Sequence, residues 1–158
     1  MEALEMLSFQ YELTKSSRNV LLEFCSKIKN EELNHVFENF GRGSIRNILV
    51  HISDTYYYWL NEFAQNLKPD FQPAESYSGI DEIRNYFDDT DKMVLQFLGK
   101  FRNDFTKQIT GIALGKEIHA TPLKLFTHVI THEYHHKGQI LSMGRHLDYT
   151  PPDTDALR

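Results

Sequence analysis

Between Ser44 and Phe63 the apolar residues Ile45, Ile48, Leu49, Ile52, Tyr56, Trp59, Leu60 and Phe63 return every three or four positions. That spacing places them on one face of an α-helix, whereas a strand would alternate. A stripe of this length must be covered by other apolar surfaces. Three more stretches can cover it. Leu4, Leu7, Tyr11, Val20, Leu21, Phe24, Cys25 and Ile28 predict a helix from Ala3 to Lys29. Ile83, Phe87, Val94, Phe97, Leu98 and Phe101 predict another from Ile80 to Asn103, with Asp81 and Glu82 at the positive end of its dipole. The last opens at Thr121-Pro122, a cap residue followed by a proline whose missing N–H costs nothing at the first helical position. Ser44 caps the central stripe in the same way. Four helices of about twenty to twenty-seven residues predict an all-α four-helix bundle, with sites built from side chains on facing helices.

The intervening segments read as connections. Glu31 to Phe40 is a linker or short helix that carries Phe37 and Phe40 toward the core, and Asn30 is the expected stop of the first helix. Leu67 to Ser78, with Pro69 and Pro73, is a loop over one end of the fold. Phe105 to His119, with Gly111 and Gly115, is irregular, a short hairpin or an extended arm. The 158 residues suit one domain spanning residues 1–158. A net charge of −5 without a basic patch argues against a nucleic-acid partner. The acidic start of the chain lacks the layout of a leader peptide, and no apolar run approaches a membrane span, so a cytoplasmic location is expected. The lone Cys25 sits in an apolar stripe, where a buried structural thiol is the default.

The chemistry is concentrated in Thr127 to Gln139, which holds four of the eight histidines. His128, His132 and His136 are four residues apart and form one row on a helix, so that two of them can grip one ion. On a wheel the histidine face points inward with Leu125 and Val129, and inward imidazoles need partners. His132-Glu133-Tyr134-His135-His136 also spells H-E-x-x-H, the zincin protease signature. The extended form of that signature needs glycine at 139 and histidine at 142, where the chain has Gln139 and Ser142, and no glutamate follows Glu133. A better third ligand is His51, on the edge of the central stripe, although a buried, hydrogen-bonded imidazole is the commoner fate of such a residue. Glu133 is a weak candidate for a general base, and a plain ion-pair role is the favoured reading of it; Tyr58 and Gln139 are candidates to line a pocket.

Gly41-Arg42-Gly43-Ser44-Ile45-Arg46-Asn47-Ile48-Leu49-Val50-His51 and His128 to Ile140, with Pro151-Pro152-Asp153-Thr154-Asp155 near the end, resemble the DinB/YfiT-like metalloenzyme family over essentially the whole chain. The resemblance implies an up-down-down-up bundle, a homodimer, and a divalent metal ion held by His51, His132 and His136. His128 then lines the pocket and His135 is structural. Asp148 stands where relatives commonly end this helix with glycine; aspartate tolerates the left-handed cap better than most residues. Imidazole ligands suit zinc, nickel, iron and copper, so the metal is not named. The resemblance further implies an enzyme acting on a small-molecule electrophile, thiol S-transferase-like with a low-molecular-weight thiol, or hydrolytic. The alternative is a non-catalytic metal-binding or stress-response protein in which the ion stabilises the bundle or senses a ligand.

Overall fold

A computed structural model describes residues 2–158. Helix α1 (Ala3–Cys25) leads to a single turn, α2 (Asn30–Leu33), and then to α3 (Ile45–Tyr56), which runs on as a π-helix over Tyr57–Phe63. A 3-10 turn at Ala74–Ser76 precedes α4 (Ile80–Phe101); β1 (Ile109–Ala113) and β2 (Lys116–Ala120) pair antiparallel as a hairpin, and α5 (Pro122–His146) follows. The chain is therefore all-α apart from this hairpin. α1 and α3 each pack against both α4 and α5, and the expected apolar stripes meet in one core that includes Tyr11, Ile48, Ile52, Phe87, Phe97 and Phe126. Among the described residues no helix is long and apolar enough to cross a membrane.

The helix ends show local chemistry at work. Ser44 Oγ accepts from Asn47 N–H at 3.2 Å and Thr121 Oγ1 from Lys124 N–H at 3.2 Å, so both expected caps form. α5 ends in a Schellman turn: Tyr149 N–H reaches Gly144 O at 3.0 Å, Asp148 N–H reaches Arg145 O at 3.1 Å, and Asp148 takes φ 64°. α1 stops at Cys25 rather than near Lys29, because Lys27 and Ile28 bond back three residues to Phe24 and Cys25, each at 3.1 Å, and turn Ile28 into the core. Asn30, the expected stop, instead opens α2.

A second departure matters more for function. The 3.6-residue stripe predicts one uninterrupted helix to Phe63, but the last seven residues are π-helical. With more residues per turn than an α-helix, the π turn changes the angular step between successive side chains and so shifts which of them face α4 and α5. Tyr57 thereby stacks on Tyr86, with ring centres 5.6 Å apart, while Trp59 meets the His128 ring edge-on at 5.3 Å.

The polar tail is also tied down. Lys137 is buried, donates to Ser17 Oγ and, at 2.6 Å, to Thr154 O, and lies 3.7 Å from the centre of the Tyr134 ring. Burial pulls its ammonium down to about 8. Arg158 grips the Ser16 carbonyl and hydroxyl. Cys25 is fully buried and its thiol is pushed up to about 12, which suits the structural role expected of it.

Candidate metal centre

His51 projects from the middle of α3, and His132 and His136 project one turn apart from the facing side of α5. Their Nε2 atoms converge: His51 to His132 is 3.2 Å and His132 to His136 is 3.0 Å, and one ligand atom from each of the three lies within 4.8 Å of the others. Nitrogens about 2.0–2.1 Å from a tetrahedral ion are about 3.3–3.4 Å apart, so the spacing fits one cation. The second ring nitrogens support the same reading. His136 Nδ1 faces Gln139 Oε1 at 2.7 Å, which places the proton on Nδ1 and leaves the Nε2 lone pair toward the cluster. His132 Nδ1 is buried and has no hydrogen-bond partner among the described residues, so the polar contact of that ring has to be made at Nε2.

Electrostatics keep the rings neutral, the state a metal requires. Burial, then the Arg42 charge and His136, lowers His51 from the ordinary imidazole value to about 4. Burial and the neighbouring imidazoles lower His132 to about 3. His136 is lowered too, chiefly by burial and against the hydrogen bond to Gln139. Among the described residues no carboxylate joins this cluster of ligand atoms, so an ion held here would keep its charge.

The cluster borders a cleft of about 600 Å³ lined by His51, His132, His128, Trp59, Tyr58, Thr55, Asp54, Arg42, Phe71 and Leu114. The sequence model of the DinB family matches residues 4–158. The chain belongs to the DinB family. A DinB-like protein from Bacillus cereus ATCC 10987 has a similar fold, with a TM-score of 0.69 at 17% identity over 94% of this chain and 93% of that one. Comparison with curated proteins returns no match.

In this DinB-family chain the other expected site residues scatter. Glu133 follows His132 in sequence but points away from it, into the core, where its carboxylate takes a bidentate pair from Arg18: Nε to Oε1 at 2.7 Å and Nη2 to Oε2 at 3.0 Å. Tyr56 Oη donates to Oε2 at 2.6 Å, Arg18 Nη1 reaches Asp91 at 2.5 Å, and Tyr11 Oη donates to Asp91 at 2.6 Å. The two histidines of the H-E-x-x-H spelling thus stay together at the cluster, while its glutamate is held in the core by Arg18 and Tyr56 instead of facing the histidines. His128 and His135 are exposed rather than inward-facing; His128 lines the cleft, and His135 contacts Gln139 at 3.2 Å. His35 and His146 pack near Phe37, away from the cluster.

The Arg18 network was not foreseen, although a signal for it exists. Leu7, Tyr11, Thr14, Arg18, Leu21 and Cys25 keep the buried three-four spacing on α1, as do Phe126, Val129, Glu133, His136, Ile140 and Met143 on α5. A charge in such a register must find a partner. Arg18 and Glu133 find each other.

Proposed function

We propose that this DinB-family protein binds one divalent metal ion through His51, His132 and His136 and uses it to act on a small electrophilic molecule, in a thiol-transferase-like or hydrolytic reaction. The observation that carries the proposal is the convergence of three neutral imidazoles, with no carboxylate among the described residues joining them, where His51 and His132 line a cleft large enough for a small ligand. The frame for this site is an up-down-down-up four-helix bundle, and the functional unit a homodimer. When bound, a divalent ion with three imidazole ligands supplies an uncompensated positive charge and an open position, which acidifies a thiol or a water placed there. The chain's own residues do the rest. Gln139 fixes the tautomer and angle of His136, and the Trp59, His128 and Phe71 side chains line one flank of the cleft. Cys25, buried and poorly ionised, is unsuited to be the nucleophile, so a thiol would come from a cosubstrate.

A purely stapling ion is less well supported. The core is already cross-linked between α1, α4 and α5 by the Arg18, Asp91 and Glu133 network, independently of the histidines. The test is a metal analysis of tag-free protein followed by a screen of low-molecular-weight thiols against small electrophiles with the metal-reconstituted form. About one ion per chain and thiol-dependent turnover support the reading. A metal-free preparation that takes up no ion refutes it; melting of the fold on chelation, with no thiol bound by the loaded protein, favours the stapling role.

A further inference from the structure

The cleft is polarised along α3, and the histidines lie between its two unlike ends. Arg42 stands in the loop just before the first turn, His51 is mid-helix, Trp59 occupies the π-helical end, and all three line the same cleft. The Arg42 backbone is clamped: its carbonyl accepts from Asn47 Nδ2 at 3.1 Å and Ser44 N–H at 3.0 Å, and Gly43, at φ 79°, lets Phe37 N–H reach the Gly43 carbonyl at 2.7 Å. Its guanidinium, exposed at the mouth of the cleft, has no ion-pair or hydrogen-bond partner among the described residues; Asp54 lines the same cleft, and Glu75 lines a neighbouring cavity that Arg42 also borders. At the far end the Trp59 indole meets the His128 ring edge-on, at 79° between planes, and Phe71 and Leu114 stand exposed beside them, so this end offers mainly ring and apolar surface.

We infer that the cleft takes a monocarboxylate with an apolar or aromatic body, whose carboxylate is bound by Arg42 and whose body lies on Trp59 and His128, so that its middle passes the histidine cluster. A planar guanidinium with free donors matches a carboxylate. The two acidic neighbours, Asp54 and Glu75, oppose a ligand with a second negative charge. This inference rests on the reading of the histidine cleft as a substrate site, and adds to it the class of substrate and the residue that selects it.

Trp59 is the sole tryptophan, so its emission reports on the cleft directly. The probes are 4-phenylbutyrate and its neutral amide, titrated into chelator-treated protein and zinc-loaded protein, each as wild type, Arg42→Gln and Arg42→Lys. The acid should change Trp59 emission saturably and bind about tenfold tighter than the amide in both metal states, the value of a modest charge-assisted hydrogen bond. Arg42→Gln should abolish the preference, and Arg42→Lys should restore part of it. Equal binding of acid and amide by the wild type overturns the inference, as does a preference that survives Arg42→Gln or arises only with zinc. Because the chelator-treated arm needs no metal, a failed metal analysis with an intact acid preference would sink the metalloenzyme reading alone. One ion per chain with no acid preference would sink the Arg42 subsite alone.

Discussion

Glu133→Gln separates two roles that the local sequence assigns to one residue. In a zincin-like site the glutamate would act on the reacting water, and its loss would abolish activity without harming the fold. In this structure Glu133 is 3% exposed, takes two hydrogen bonds from an Arg18 that is 2% exposed, and takes a third from Tyr56. Glutamine keeps the volume but turns one acceptor into a donor facing the guanidinium or the Tyr56 hydroxyl, and it removes the charge that offsets Arg18. Removing one partner of a buried pair costs about 3–5 kcal/mol. Because glutamine retains one acceptor and Asp91 still holds Arg18, we expect about 2–4 kcal/mol, a large part of the roughly 5–15 kcal/mol that holds a domain folded. At about 2–4 °C per kcal/mol for a chain of this size, the Tm should fall by roughly 5–15 °C. The assay is paired urea and thermal unfolding in chelator, so that ion binding does not contribute to the difference, together with metal stoichiometry below the transition. The folded fraction should still bind about one ion per chain. Wild-type stability with lost metal or lost turnover would refute the assignment of Glu133 to the core and return it to the site.

Further perturbations probe the other elements. His51→Ala, His132→Ala or His136→Ala should each strongly reduce metal occupancy, measured by elemental analysis, whereas His35→Ala and His146→Ala should leave it unchanged; full occupancy in His51→Ala would refute the three-ligand centre. In the metal-free protein the folded chain holds His51 at about 4 and His132 at about 3, while the unfolded chain titrates near the ordinary imidazole value. Their contribution is thus fully present above the unfolded value and is lost as pH falls toward the folded values. The urea midpoint should therefore drop on acidification from neutral pH, and a His51→Gln, His132→Gln double variant should flatten that slope. Gly144→Ala should lower Tm, because a Cβ there would meet Phe24 Cζ at 2.6 Å and force α1 and α5 apart; overpacking of this kind costs about 1–3 kcal/mol. Asp148→Gly should instead raise stability by several tenths to about 1 kcal/mol, since the residue sits at φ 64° in the α5 cap.

The helices were legible because each is specified by its own residues. Apolar spacing, the Ser44 and Thr121-Pro122 starts and the turn at Gly115 are local signals, and local geometry obeyed them, whereas Gly111 lies inside β1 paired with Ile118. The ends were less legible where bonds compete over a few residues, as at Lys27 and Ile28. The π-helical turn had no local mark. The stripe continues through it unchanged, and its contacts, Tyr57 on Tyr86 and Trp59 on His128, come from α4 and α5.

The candidate site divides along the same line. Sequence alone determined that His132 and His136 lie one helical turn apart on α5 and that His51 sits mid-helix on α3, because intrahelical spacing follows from backbone geometry. Only the tertiary structure decided that those three rings meet, that His128 remains at the rim, and that Glu133 turns inward to Arg18, more than a hundred positions away in the chain. Which side of a helix faces which neighbour depends on how four stripes are packed together. A difference of one residue, or about 100° of rotation, sends His132 to the cleft and Glu133 to the core.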